Sequence, residues 1–185
     1  TLKYILYDVR KLEDLLTRER FEDHDMESLD LFIDSAKEFS DRELYPYLKE
    51  MDETPAHHKD GTVMVHKQVD VMMKKGGELG IISASFDYDA GGMQIPFIAH
   101  QAAVYIMDAA NNHLPGYVGL TQGAAELIIE FGNKTLNETY VPNMLSGAWG
   151  GTMCLTEPQA GSSLSDIVTK ATPTADGFYK ISGQK

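Results

Sequence analysis

Residues able to do chemistry are densest from Met153 to Asp166, which reads Met-Cys-Leu-Thr-Glu-Pro-Gln-Ala-Gly-Ser-Ser-Leu-Ser-Asp. Apolar residues through Leu155 lead into a hydroxyl, a carboxylate and a proline. A small-residue loop of Ala160, Gly161, Ser162 and Ser163 follows. Glycine lets the main chain approach a ligand closely, and a run of free amides with serine hydroxyls can cradle an anion such as a pyrophosphate. The same composition also describes a plain surface turn, because Gly, Ser and Pro clusters are punctuation first. Glu157 is the one acid between Leu155 and Ser162, and a structural hydrogen-bonding role suits it better than that of a base.

The other chemistry-bearing cluster is His57, His58 and His66, with Asp60 nearby. Metal sites need histidines on one helix face, or paired clusters at a recognisable spacing with a third ligand. Neither pattern is present, so no metal site is expected. Net charge is −12, from 28 acidic against 16 basic residues, with the acids crowded into the first third of the chain. That sign opposes polyanion binding and argues against nucleic acid, while leaving room for a phosphorylated cofactor held by backbone amides. A single cysteine, Cys154, rules out an intramolecular disulfide framework. The opening Thr1-Leu-Lys-Tyr-Ile-Leu-Tyr-Asp has no long apolar core of a signal peptide, and no apolar run approaches the ~20 residues of a membrane span. A soluble protein of a reducing, cytoplasmic compartment is the expectation.

The elements that must position the 153–166 stretch change period just before it. Val9, Leu12, Leu15 and Leu16 predict an amphipathic helix over Asp8 to Arg20. Asp25 is placed to cap a longer helix with Leu29, Phe32, Ile33, Ala36 and Phe39 on one face and Pro46 near its end. Met51 to Val65 reads as a connection, and Val69, Met72, Met73 and Leu79 form another helical stripe. Pro96 opens a helix over Gln94 to Ala110 with Ile98, Ala102, Tyr105, Ile106 and Ala109 on one face. A further helix, Gly116 to Phe131, sets Leu120, Ala124, Leu127, Ile128 and Phe131 on one face and stops at Gly132. Thr135 to Glu138 reads as a capping box, with Pro142 kinking or splitting the helix that Gly147 ends. Beyond it, Trp149 to Leu155 fits a strand, and Ile167 to Thr172 and Gly177 to Ser182 fit a hairpin turned at Asp176-Gly177. A hairpin alone is marginal, so the chain reads as stopping inside a β-domain. The fold class is mainly α: a helical bundle over 25–148, preceded by an extension over 1–24 and followed by the first strands of an antiparallel β-domain over 149–185.

The order and literal content of several segments resemble the acyl-CoA dehydrogenases. The segments are Gly77-Glu-Leu-Gly-Ile-Ile, Tyr88-Asp-Ala-Gly-Gly, Gly132-Asn-Lys-Thr, Tyr140-Val-Pro-Asn-Met-Leu-Ser-Gly-Ala-Trp, Leu155-Thr-Glu-Pro-Gln-Ala-Gly-Ser and Tyr179-Lys-Ile-Ser-Gly-Gln-Lys. The resemblance runs from about Ser28 to Lys185. The opening Tyr4-Ile-Leu-Tyr-Asp-Val-Arg-Lys-Leu-Glu-Asp-Leu-Leu is similar to the N-terminal extension of a bacterial branch of that family. Three positions depart from the family pattern. Ser163 stands where Asp is usual, Asp166 where a small residue is common, and Gln159 where glycine is frequent.

The resemblance implies an FAD-dependent dehydrogenation of an acyl-CoA thioester across its α and β carbons, with electron-transferring flavoprotein as the usual electron acceptor and a homo-oligomeric assembly. Met153, Cys154, Leu155, Thr156, Gly161 and Ser162 are then the cofactor-binding residues, with Ser162 also near the acyl-CoA. The catalytic base is expected in a C-terminal domain, so no catalytic residue is expected in this chain. Acyl specificity is expected from the helix over Gln94 to Ala110 and from that other domain. An oxidase or monooxygenase on the same scaffold, or a non-catalytic helical interaction module, is the alternative.

Overall fold

The computed structural model describes residues 1–185, which divide into two units, Thr1–Thr152 and Met153–Lys185. No helix is long and apolar enough to cross a membrane.

In the first unit the principal helices are α2 (Met26–Phe39), α4 (Gln68–Glu78), α5 (Phe97–Asn111), α6 (Pro115–Phe131) and α7 (Lys134–Leu145). Helix α2 follows from its sequence directly. The Asp25 carboxylate accepts from the Ser28 N–H at 2.7 Å, while the Ser28 hydroxyl receives the Asp25 N–H at 3.0 Å, closing a reciprocal cap. All five expected core residues, Leu29, Phe32, Ile33, Ala36 and Phe39, are buried. The chain then stays helical past Pro46, through a wide turn at Ser40–Leu44, a tight turn at Tyr45–Tyr47 and α3 (Leu48–Glu53). Buried side-chain amides make this possible by serving main-chain carbonyls: Gln68 donates to Glu43 O at 2.7 Å and Asn111 to Leu44 O at 3.0 Å.

The expected helix over Asp8 to Arg20 is not continuous. A short helical segment, α1 (Leu2–Tyr4) widening through Ile5–Val9, ends where Lys11 turns left-handed, and only tight turns at Leu12–Leu15 and Glu19–Phe21 follow. Leu6 and Leu12 enter the core while Val9 is left exposed, so anchoring by two leucines prevailed over helical period. The connection from Met51 to Val65 is also more ordered than expected. Its first residues belong to α3, and β1 (His57–Lys59) pairs antiparallel with β2 (Thr62–Met64) around a left-handed Asp60-Gly61 turn.

Helices α5 and α6 form close to where they were predicted, but with different faces inward. In α5 the buried residues are Ala99, His100, Ala102, Ala103, Met107 and Asn111, while Tyr105 and Ala109 face out. In α6 they are Pro115, Val118, Thr121 and Ala125, and Leu120, Leu127 and Phe131 are exposed. Both helices carry apolar residues nearly all round, so period alone does not choose a face.

Helix α7 starts two residues earlier than the Thr135 box implies, because the Asn133 side chain accepts the Leu136 N–H at 3.0 Å. Pro142 lies inside α7 without splitting it, and the neighbouring Asn143 amide donates back to Thr139 O at 2.8 Å. Gly147 ends the helix in the left-handed region, where a Cβ would lie 2.0 Å from Met73 O. Gly77 on α4 allows the reciprocal approach, since its Cβ would meet Ser146 O.

The segment from Trp149 to Leu155 is not a paired strand. Its first part is tied to helices instead: Trp149 N–H donates to Asn143 O, its indole packs edgewise on Tyr140, and Gly151 N–H donates to the Thr121 hydroxyl at 3.0 Å. A strand needs a ladder partner, and none accompanies this segment. In the second unit the expected hairpin is present, with β3 (Lys170–Pro173) pairing antiparallel to β4 (Tyr179–Ser182) across a turn containing left-handed Gly177. Every residue of both strands is exposed.

Candidate functional site

In the second unit the loop is organised by Glu157. Its carboxylate is buried and accepts from Val168 N at 2.9 Å, Thr169 N at 3.0 Å and the Gln159 amide at 2.7 Å, and pairs with the Lys185 ammonium at 3.0 Å. The Val168 amide is the main cause, with Thr169 and Lys185 adding to it, of a carboxyl held well below the usual carboxylate range. Main-chain bonds from Glu157 N to Ala160 O and from Ala160 N to Glu157 O close a tight turn over Pro158 and Gln159. Lys185 also donates to Leu155 O at 2.9 Å, so one side chain joins the segment before the turn to the residues after the hairpin.

This frame leaves donors over. The N–H groups of Leu155, Thr156, Gly161 and Ser162 have no protein acceptor, and Met153, Cys154, Leu155, Thr156, Gly161 and Ser162 are all exposed. Gly161 has no positive φ, and a Cβ there would meet nothing within 4 Å. Neither backbone conformation nor packing within the chain therefore requires glycine at this position. The donor set suits a ligand edge that presents alternating acceptors and donors, or an anionic diphosphate.

The first unit holds a cleft of about 670 Å³. Its apolar wall includes Ile95, Phe97, Val104, Met107, Val118 and Ile129, from α5, α6 and the segment leading into α5. Arg20 and Phe21 of the N-terminal extension complete one side, held by an Arg20–Asp87 ion pair, a Gln94 bond to Arg20 O at 3.0 Å and His24 on Met93 O at 2.8 Å. At the base His100 is 2% exposed, between Gln122 and Ser85 at 3.1 Å each. Burial pushes the His100 pKa down, so the ring is neutral at neutral pH. Nothing in the sequence pattern marks His100, Ser85 or Gln122 as a group, since they lie apart in the chain. The available signal is a histidine within a largely apolar helix.

His57 and His58 lie on the exposed hairpin, whereas the His66 ring is buried beside Glu50 at 3.2 Å. These three do not converge with further ligands into a metal-binding group.

Residues 26–148 match the acyl-CoA dehydrogenase N-terminal domain. The chain belongs to the acyl-CoA dehydrogenase family. It is 38% identical over 108 residues to 3-methylmercaptopropionyl-CoA dehydrogenase of Ruegeria pomeroyi, covering 58% of this chain and 18% of that protein. It is 29% identical to a butyryl-CoA dehydrogenase of Syntrophomonas wolfei, covering 100% of this chain and 31% of that protein. Butyryl-CoA dehydrogenase from Megasphaera elsdenii shares the fold, with a TM-score of 0.70 at 24% identity over 86% of this chain and 40% of that structure. The chain thus spans less than a third of the length of the two curated relatives. In this acyl-CoA dehydrogenase chain the family domain begins at the reciprocal cap of α2 and ends just after α7.

Proposed function

We propose that this chain supplies the N-terminal helical domain and the cofactor-facing start of the β-domain to an FAD-dependent acyl-CoA dehydrogenase. The observation that carries the proposal is the set of exposed, unused donors from Leu155 to Ser162 on a turn locked by Glu157. Leu155 and Thr156 would hold the flavin ring edge through main-chain groups and a hydroxyl, with Met153 and Cys154 lining the approach. Gly161 and Ser162 would hold the diphosphate, and Ser162 would also border the acyl-CoA. When bound, FAD supplies the hydride acceptor. The apolar cleft between α5 and α6 is suited to the acyl chain, from which it excludes water.

Glu157 is a poor proton acceptor, because its oxygens are occupied by Val168, Thr169, Gln159 and Lys185 and its pKa is depressed. The group that takes the α-proton therefore comes from outside these residues. Exposed Leu120, Leu127 and Phe131 on α6 are suited to cover by further parts of the protein. Family membership supports electron-transferring flavoprotein as partner and a cytoplasmic homo-oligomer as the working form.

The test is flavin occupancy of the holoenzyme containing this chain. Gly161→Val, harmless to the chain itself, should obstruct ligand approach and lower FAD content. Thr156→Val keeps shape and removes the hydroxyl, and should weaken FAD binding by roughly 0.5 to 1.5 kcal/mol. Unchanged occupancy in both variants would remove this loop from the cofactor site.

A further inference from the structure

The polar base of the cleft has a defined direction. The Gln122 Nε2 lies 2.8 Å from Ile82 O and 3.3 Å from Ile81 O, and only the amide nitrogen can bond two carbonyls. One N–H of that nitrogen serves Ile82 O, with the more distant Ile81 O sharing it, and the other donates to His100 Nε2 at 3.1 Å, so His100 accepts there and carries its proton on Nδ1. Nδ1–H then donates to Ser85 Oγ at 3.1 Å. The serine lone pair is engaged, its own proton has no protein acceptor, and Ser85 lines the cleft.

We infer that Ser85 is a specificity-determining hydrogen-bond donor to the acyl group, so that the cleft favours an acyl-CoA whose chain carries an oxygen acceptor over a plain alkyl chain of equal length. The inference rests on the proposed use of the cleft for the acyl chain. Gln122 and His100 are positioning residues: they fix the direction of the Ser85 proton and do not themselves touch the substrate. Ile95, Phe97, Val104, Met107, Val118 and Ile129 make much of the wall apolar, and its one cation, Arg20, is paired with Asp87, so the acceptor is a single polar atom in a hydrocarbon chain rather than a charged terminus. Glu126 and Glu130, which also line the cleft, disfavour an anionic one.

The experiment compares butyryl- to octanoyl-CoA with the same thioesters in which one methylene beyond the β-carbon is replaced by an ether oxygen, an acceptor without a donor. The FAD-loaded holoenzyme should prefer the ether at one position of the series. Ser85→Ala should lower the ether-to-alkyl ratio of kcat/KM about fivefold, the worth of one neutral hydrogen bond. Ser85→Thr, which keeps the hydroxyl, should restore the preference. Gln122→Met, which frees the His100 tautomer, should erode the same ratio and gives a second route should Ser85→Ala not fold. Equal kcat/KM changes for ether and alkyl substrates, or no ether preference at any position, would overturn the inference. Turnover of neither series by flavin-loaded wild-type enzyme would instead overturn the acyl-site reading beneath it.

Discussion

The helical unit and the terminal unit are held together by different chemistry. In Thr1–Thr152 one continuous apolar cluster runs from Leu6 to Leu145 and absorbs side chains from every principal helix. In Met153–Lys185 only Ala160 and Glu157 are buried, and the organising contact is a carboxylate with four donor groups around it. Apolar burial is nondirectional and tolerant of rearrangement, whereas a polar hub fixes the chain at particular atoms. The second kind of order suits a loop that must present amides in defined directions, and it leaves Phe178, Tyr179 and Ile181 of the hairpin uncovered.

The largest effect separating the two should come from the core. Leu29→Ala empties a fully buried site and should destabilise the helical unit by about 3 kcal/mol in chemical denaturation. If the units are ordered independently, cleavage of the hairpin by protease should be unaltered by that change. Glu157→Gln should act the other way round. Cleavage after Thr152 should accelerate while the helical melting transition stays in place, and a common shift in both signals would abolish the distinction drawn between the units.

Acid should reveal the same contrast with a definite sign. Glu157 has a folded pKa below its unfolded value, so its contribution is complete above the ordinary carboxylate range and is lost as pH falls below it. The His100 pKa is also depressed in the folded protein, and its neutral form is the one accommodated. The helical unit should therefore lose stability earlier, as pH falls through the unfolded histidine value of about 6.5, while the loop remains protected. Melting curves between neutral and mildly acidic pH should show this loss in wild type and a smaller one in His100→Gln. An identical pH dependence in the two proteins would remove His100 from the account.

The smallest expected effect concerns a helix start inside the larger unit. Asn133→Ala should cost about 1 kcal/mol by removing the bond to Leu136 N–H, while Thr135→Ala should be nearly silent. Reversal of that order in thermal denaturation would restore the cap expected from the Thr135 to Glu138 pattern.

Much of the helical frame was legible because local signals agreed. Asp25 caps α2 and its five-residue stripe is the buried one, Gly147 closes α7, and Asp176-Gly177 turns the hairpin. The 153–162 stretch stood out by composition, and the family motifs around it were readable in order. His100, Ser85 and Gln122 were not, because they are distant in sequence and none belongs to a recognisable spacing.

By itself the sequence determined where α2 begins, where α7 ends and where the terminal hairpin turns, since caps and glycines act through bonds that span a few residues. It also marked the 153–162 loop, whose small residues and proline carry their meaning locally. Tertiary structure decided which faces of α5 and α6 turn inward, because helices apolar on several sides take their orientation from what packs against them. It likewise decided the role of Glu157, whose donors at Val168, Thr169 and Lys185 meet only once the chain has folded back. The protonated nitrogen of His100 was settled in the same way, because two carbonyls at Ile81 and Ile82 orient the Gln122 amide that faces it.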